Sequence, residues 1–370
     1  MAGAFGGLAN PLAAQPTLTD IPDVDLVSPP PESISTIAFS PVADHLAVGS
    51  WGPDVRIYDI GPQGQSQGRA LVPHPGTVLD LCWTKDGTKL ISAGTDNTAR
   101  MFDLVSGAST QVGHHEGPIK CVRWLDTPQG GILATGSWDK TLKYWDLRSP
   151  APLATVELKE RCYAMDVKNQ VLVVGTAGRH IQIFDLSNPI APRKTVSSPL
   201  KWQTRTIAVF PGADGFALGS IEGRVAIQNI EDKDQEKNYS FRCHRKDQTP
   251  GGKDQSLVFS VNDIKFHPVH GTFATCGSDG TVSMWDKDAR TRLKSNGSHP
   301  QFSPAFNSVP SPVVSSSFNH TGTIFAYAAA YDWSKGHVGN VPSQLNKVLL
   351  HGCKEDEVRK RPPKSGMGQR

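Results

Sequence analysis

The sequence lacks the features that mark a zinc site, a secreted fold or a membrane span. Its six cysteines include no Cys-x-x-Cys pair, so zinc binding is not indicated. No apolar run approaches the roughly 20 residues that a membrane helix needs. The apolar N-terminus has no basic residue ahead of it, which argues against a secretory signal. Most cysteines lie in strand-like apolar runs such as Leu81-Cys82-Trp83, so we expect buried, reduced thiols in the cytosol or nucleus.

Catalytic motifs are also missing. The chain has no G-x-x-x-x-G-K-[ST] phosphate loop, no H-E-x-x-H and no G-x-S-x-G elbow. We therefore predict that the protein is not an enzyme and needs no cofactor or metal. A strong excess of one charge is absent too, because the net charge is only +3. That excludes a highly basic nucleic-acid coat but leaves room for a local basic patch.

What the sequence does contain is an internal repeat, with 35 glycines and 28 prolines to serve its turns. Each copy has an apolar alternating run, a polar turn, a second run ending in Gly-Ser/Thr/Ala and a short strand ending in aromatic-Asp. Copies end near positions 59, 103, 146, 185, 228 and 286. A period of about 40 residues is typical of WD repeats, in which four strands form one propeller blade.

A seventh copy begins at Val313-Val314-Ser315-Ser316-Ser317-Phe318 and has its third strand near Lys347-Val348-Leu349-Leu350. Its fourth strand is expected from the N-terminal residues 23–27, which would close the ring and protect its strand edges. We therefore predict an all-β, seven-bladed WD-repeat propeller over residues 20–352. Residues 1–19 are predicted to be disordered, and residues 353–370 to form a basic tail with too few apolar residues to pack. Residues 232–255 are interpreted as a polar insertion outside the blade pattern.

Aspartates and histidines recur at fixed places in the repeat. Asp96, Asp139 and Asp279 follow Gly-Thr/Ser pairs in the turn after the second strand, and His74 and either His114 or His115 precede the second and third blades. Aspartate side chains accept hydrogen bonds from turn amides. We interpret these residues as a structural hydrogen-bond network and not as catalytic groups.

Several stretches resemble one subfamily of WD-repeat proteins. Ser220-Ile221-Glu222-Gly223-Arg224-Val225-Ala226 and Phe241-Arg242-Cys243-His244-Arg245 are similar to both the messenger-RNA export factors of the nuclear pore and the spindle-checkpoint propellers. The run from Trp285 to Lys294, the run Asp25-Leu26-Val27-Ser28-Pro29-Pro30 and Tyr331-Asp332-Trp333-Ser334-Lys335-Gly336-His337 resemble the export factors. The resemblance covers roughly residues 20–360.

This resemblance implies an adaptor that binds the acidic GLEBS segment of a phenylalanine-glycine nucleoporin and RNA, and supports mRNA export. By motif match, Arg224 and Arg242 would each bind a glutamate of that segment, because a planar guanidinium can bind a carboxylate bidentately. The alternative is that each is an ordinary solvated arginine or is paired within its own blade.

Two further sets of residues are candidates for binding. Arg290, Arg292 and Lys294 form a basic row beside Trp285 and resemble the family's RNA-binding surface, although a solubilising loop would have the same composition. Trp51 and Trp138 lie at blade corners, where they would either contact a partner or be buried. We count Trp51, Trp138 and Trp285 with the two arginines as candidate partner-binding residues.

The competing interpretation is a mitotic scaffold that binds checkpoint kinases. The resemblance to the export factors implies a monomeric propeller within a heteromeric complex. It implies a location in the nucleus, at the nuclear pore rim and in the cytoplasm. Mitotic checkpoint proteins are further candidate partners.

Overall fold

The computed structural model describes residues 18–127, 130–248, 255–293, 309–341 and 344–361. Within them, strands form seven four-stranded antiparallel sheets and one two-stranded hairpin. The first strand of each sheet contacts the first strands of both neighbouring sheets, so the seven sheets surround a central channel as blades of a ring. The predicted seven-bladed β-propeller is confirmed.

The first four blades follow one another along the chain, after a short strand β1 (Val24–Asp25). Blades one and two consist of β2 (Ile34–Phe39), β3 (His45–Ser50), β4 (Asp54–Ile60), β5 (Ser66–Pro73), β6 (Val78–Trp83), β7 (Lys89–Gly94), β8 (Thr98–Asp103) and β9 (Ser109–His114). Blades three and four consist of β10 (Ile119–Thr127), β11 (Gly130–Ser137), β12 (Thr141–Trp145), β13 (Ala154–Glu157), β14 (Cys162–Lys168), β15 (Val171–Thr176), β16 (His180–Asp185) and β17 (Lys194–Ser197).

The last three blades contain one insertion. Blade five consists of β18 (Thr204–Val209), β19 (Gly215–Ser220), β20 (Arg224–Asn229) and β21 (Tyr239–Arg242), and the hairpin β22 (Arg245–Gln248) with β23 (Gln255–Val258) follows it. Blade six consists of β24 (Val261–Phe266), β25 (Phe273–Gly277), β26 (Val282–Asp286) and β27 (Thr291–Arg292). Blade seven consists of β28 (Val313–Phe318), β29 (Ile324–Ala329), β30 (Lys347–Gly352) and β1.

Helices are few and short in the described part of the chain. The α-helix α1 spans Glu355–Val358, and 3₁₀ turns span Leu18–Asp20, Ala177–Arg179, Asp232–Lys237 and His337–Gly339. None of them is long and apolar enough to cross a membrane. The six cysteines are unpaired and, except for the half-buried Cys353, buried.

Every innermost strand has a register shift just after its first residue, as a β-bulge produces. The shifts fall at residues 34/36, 78/80, 119/121, 162/164, 204/206, 261/263 and 313/315. Aspartates beside three of these bulges link adjacent blades. Asp80, Asp166 and Asp263 accept hydrogen bonds at 3.0, 2.7 and 2.7 Å from backbone amides of the next innermost strand. The blades are thus joined by buried polar contacts as well as apolar packing.

The ring closes where the two ends of the propeller meet. Val24 and Asp25 of β1 pair with Leu350 and Leu349 of β30. Beneath them, His351 lies between two carboxylates, with its Nδ1 2.7 Å from Asp23 Oδ1 and its Nε2 3.0 Å from Glu357 Oε2. Blade seven therefore includes a strand that lies more than 300 residues away in the chain.

Three predictions about segments outside the blades need correction. Residues 1–17 of the predicted disordered segment lie outside the described residues, but Leu18 is buried in the core that β1 covers. The segment 232–255 is not simply an insertion, because Tyr239–Arg242 is the outer strand of blade five. The tail does pack at its start, since Val358 is only 3% exposed; residues 362–370 lie outside the described part.

Candidate functional site

The histidines and aspartates of the repeat form structural networks. In blade three, His115 Nδ1 lies 2.9 Å from Asp139 Oδ2, and His115 Nε2 lies 2.7 Å from Thr135 Oγ1. The indole of Trp145 donates to the same hydroxyl at 2.8 Å. Burial, opposed by the Asp139 charge, lowers the pKa of His115 to about 4, so the ring is neutral at pH 7. Both ring nitrogens of His115 are thus hydrogen-bonded within the blade.

Blade six repeats this arrangement around Trp285. His244 contacts Asp279 at 2.9 Å and Thr275 at 2.9 Å, and Trp285 Nε1 donates to Thr275 Oγ1 at 2.9 Å. Trp285 therefore has a structural role through its Nε1, and its half-buried ring packs 4.5 Å from Phe241; its contact with a partner stays a prediction. Sequence inspection placed His244 only in a motif and missed this network.

Arg224 and Arg242 are brought together by the register of blade five. They are direct partners across β20 and β21, which places two cationic side chains on the same face of the sheet. The carboxylate near them is that of Glu222, whose Oε2 lies 3.8 Å from Arg224 Nε. In the described part of the chain, Arg242 is exposed and has no ion pair. Like charges that face each other repel, so an anionic ligand would stabilise this pair.

The predicted corner tryptophans differ in their exposure. Trp51 stacks on Trp333, with ring centroids 3.8 Å apart, and is half-buried. Trp138 is 38% exposed in the turn of blade three. Two further exposed apolar side chains carry no sequence signal for binding: Trp202 is 61% exposed, and Ile221 is 38% exposed and donates from its backbone to Gln203 O. Apolar side chains thus lie on the loops of blades three and five.

The Tyr331–His337 motif lies over the inner strands of several blades. Ser33 of blade one donates to Tyr331 O at 3.1 Å, Ser278 of blade six donates to Asp332 Oδ2 at 2.5 Å, and Arg205 of blade five donates to Asp332 O at 3.1 Å. This segment therefore fixes the aromatic stack of Trp333 on Trp51 relative to the ring.

The structure describes two of the three residues of the predicted basic row, Arg290 and Arg292. Arg290 lies over the Tyr239 ring, with its guanidinium carbon 4.6 Å from the ring centroid. Arg292 is exposed on β27, while Lys294 lies outside the described residues. Arg290 therefore contacts the outer strand of blade five, and Arg292 is placed on the edge of blade six. Both guanidiniums remain at the junction of these two blades.

The structure offers little for metal-dependent chemistry in the described residues. No group of three or more histidine, cysteine, aspartate or glutamate side chains is arranged to bind a metal ion there. The candidate surfaces consist of arginines and aromatic side chains, which suit anion and polymer binding.

Comparison with known proteins agrees with this architecture. The family model "WD domain, G-beta repeat" matches residues 27–59, 65–103, 107–146 and 253–286. The "mRNA export factor GLE2" of Chaetomium thermophilum is 48% identical over 98% of this chain and 99% of its own length. The "Poly(A)+ RNA export protein" of Schizosaccharomyces pombe is 50% identical over 92% of this chain and 94% of its own. "Protein Rae1" of Drosophila melanogaster is 43% identical over 92% of this chain and 96% of its own.

Proposed function

Because this chain belongs to the family of WD-repeat mRNA export factors, with a role in mRNA export, we propose that it acts there as a non-enzymatic adaptor. In this proposal, an acidic GLEBS-type segment of a phenylalanine-glycine nucleoporin binds at Arg224 and Arg242. Single-stranded RNA binds, without strong sequence preference, at the basic row of Arg290, Arg292 and Lys294. The propeller is a monomer within the resulting heteromeric complex, in the nucleus, at the nuclear pore rim and in the cytoplasm.

The observation that supports the docking site most directly is the Arg224–Arg242 pair. Two arginines directly opposite each other on an antiparallel pair destabilise it unless an anion lies between them. Glu222 is the nearby carboxylate, and its 3.8 Å distance from Arg224 is longer than a charge-assisted hydrogen bond. A partner with two adjacent carboxylates would offer each guanidinium a bidentate contact.

The surroundings of this pair favour a peptide over a small anion. Ile221, two residues before Gly223, and Trp202 are exposed apolar side chains on the adjoining loops, which a hydrogen bond from Lys201 N to Glu222 Oε1 at 3.2 Å joins. Exposed tryptophans are frequent anchors of protein interfaces. An acidic segment that also carries apolar residues would match both the charge and the apolar character of these loops.

Charge reversal tests the docking site. Arg224→Glu should weaken binding of the acidic nucleoporin peptide at least tenfold, since disrupting a desolvated charge pair costs about 2–5 kcal/mol. The double change with Arg242→Glu should abolish binding while the melting temperature stays near that of the wild type. Affinity would be measured by isothermal titration calorimetry.

The control is Arg69→Glu, the same change on the outer strand of blade one, where Arg69 is 3.2 Å from Asp59. It should leave peptide affinity unchanged. Unchanged affinity in both Arg224→Glu and Arg242→Glu would show that the peptide binds elsewhere.

The proposal for RNA rests on the two described arginines of the basic row. Neither Arg290 nor Arg292 has an ion pair among the residues described, and half-buried Tyr239, Phe241 and Trp285 lie beside them. Replacing Arg290 and Arg292 with glutamine should weaken binding of a uridine oligonucleotide and flatten its salt dependence. Peptide affinity should remain mostly intact. Equal RNA binding by the variant and the wild type would contradict this assignment.

A further inference from the structure

The start of the C-terminal segment is anchored to blade six. Val358 of α1 is buried with Met284 and Leu293 in one apolar cluster. Its carbonyl oxygen accepts a hydrogen bond from Thr272 Oγ1 at 2.5 Å. Glu357 is buried too and contacts His351. The chain is thus held in a defined position up to the residue that precedes Arg359-Lys360-Arg361.

The next residues lie against the turn that joins β26 to β27. The backbone amide of Arg361 donates to Asp286 Oδ2 at 3.1 Å, and its Nη2 donates to Arg292 O at 2.9 Å. Lys360 Nζ lies 2.7 Å from Asp288 Oδ2. The buried aspartate that ends the sixth repeat therefore positions Arg361 beside Arg292, although 69 residues separate them in the chain.

At this turn the lysine side chains form ion pairs among the described residues, whereas the arginine side chains do not. Asp288 is shared by Lys287, at 2.6 Å, and by Lys360. Asp286 accepts hydrogen bonds from backbone amides. In the described part of the molecule, Arg290, Arg292 and Arg361 form no ion pair. Three arginines that form no ion pair there thus lie just before β27, on it and beside it.

We propose that Arg361 is an RNA-binding residue that continues the surface of Arg290 and Arg292, so that the described residues 359–361 form one border of the RNA site. This inference rests on the proposed RNA binding. One Nη2–H of Arg361 is used on Arg292 O, and its remaining donors are available to a phosphate. The half-buried aromatic rings of Tyr239, Phe241 and Trp285 lie within the same region and offer surfaces for base stacking.

Single-stranded RNA fits this surface better than a second acidic peptide does. Its phosphates recur along a flexible backbone, so separate arginines can each meet one, and every base can stack on an aromatic ring. The sites for peptide and RNA would lie on different strands, because Arg224 and Arg242 belong to β20 and β21 while Arg361 lies beside β27.

The test compares Arg361→Gln with the wild-type full-length chain. The probe is a fluorescent uridine oligonucleotide of about 15 nucleotides, near the upper site size of single-strand binders, titrated at several salt concentrations. Losing one phosphate contact should reduce the slope of log K against log salt by about 0.7 and weaken binding about fivefold at 0.1 M salt. An unchanged slope and affinity would overturn the inference.

The matched control is Arg148→Gln. Arg148 follows Trp145-Asp146 in blade three, at the turn equivalent to that of Lys287 and Asp288, and is 79% exposed. The Arg148→Gln change removes the same charge and should leave the salt slope of RNA binding unchanged. A reduction of that slope equal to the one for Arg361→Gln would show a general charge effect and contradict a specific site. Thermal melting of both variants should match the wild type, because neither side chain is buried.

A third variant separates this inference from the proposed function. If Arg290→Gln/Arg292→Gln weakens RNA binding and Arg361→Gln does not, the RNA site stands without the C-terminal segment. If none of these changes alters RNA binding, both proposals are wrong. If Arg361→Gln weakens binding of the acidic peptide and leaves RNA binding unchanged, the segment belongs to a peptide site and the inference is overturned.

Discussion

Arginines on the inner strand of blade three and on the last two strands of blade five have different surroundings. Arg123, on the inner strand β10, lies 2.6 Å from Asp80 Oδ2 and 3.4 Å from Asp166 Oδ1. Burial lowers its pKa, but the charges of Asp80 and Asp166 outweigh burial and raise it. Arg224 and Arg242 instead face each other across β20 and β21. The comparison separates an arginine that links neighbouring blades from two that we propose bind a ligand.

His351 is a second paired cation, and it lies at the closure of the ring. Burial lowers its pKa, yet hydrogen bonds to Asp23 and Glu357 outweigh burial and raise the pKa to about 9. His115 is the opposite case, a neutral histidine with a pKa of about 4. Two buried histidines thus have opposite charge states at pH 7, because one faces two carboxylates and the other faces one carboxylate and a hydroxyl.

The largest effect on stability is expected from Arg123→Met. Removing one partner of a buried charge pair costs about 3–5 kcal/mol, since Asp80 and Asp166 would lose their counter-charge. Urea unfolding followed by tryptophan fluorescence would measure the loss. A destabilisation below about 1 kcal/mol would show that inner-strand pairing does not hold the blades together.

The stabilisation that His351 gives to the ring closure should weaken as pH rises. A histidine whose folded pKa is about 9 and whose usual value is 6.5 stabilises the fold fully below pH 6.5, and the gain is lost as pH rises through 9. The expected loss is up to about 3 kcal/mol. Urea unfolding of the wild type and of His351→Gln at a series of pH values would show it, with the difference between the two shrinking above pH 9. An equal difference at all pH values would contradict a charged His351.

The smallest effect on stability is expected from Arg224→Met and Arg242→Met, the same chemical change as in Arg123→Met. Each should alter the free energy of unfolding by less than about 0.5 kcal/mol, or raise it slightly, because a like-charge contact is removed. A loss comparable to that of Arg123→Met would show that these arginines are structural. The distinction between Arg123 and the two arginines of blade five would then be wrong.

Much of the architecture could be predicted from the sequence because each blade is local. The period of about 40 residues arises because four adjacent strands are joined by short turns. The aspartate that ends each copy therefore marks a blade without knowledge of distant contacts, as it does at Asp59, Asp103, Asp146 and Asp185. The predicted hydrogen-bond network of turn aspartate and histidine is present in blade three, where His115 lies 2.9 Å from Asp139, whereas His74 of blade two lies 3.8 Å from Asp96.

The candidate site was less accessible to sequence reasoning. Arg224 and Arg242 came from a motif, but that they face each other depends on the register of β20 with β21. The sequence places Trp285 beside the basic row, but only the structure shows that its indole N–H donates to Thr275 in a network with His244. Trp202 has no motif at all, and its exposure follows from the loop on which it lies.

Hydrophobic periodicity and turn chemistry within some 40 residues were enough to predict the repeat, the all-β class and the residue types at each blade corner. Which distant charges meet is visible only in the folded chain. Asp23 reaches His351 across 328 positions, and Arg361 reaches Arg292 across 69. Such contacts form because the ring closes and because Val358 packs against blade six. A local sequence pattern cannot predict which residues come into contact when they lie so far apart in the chain.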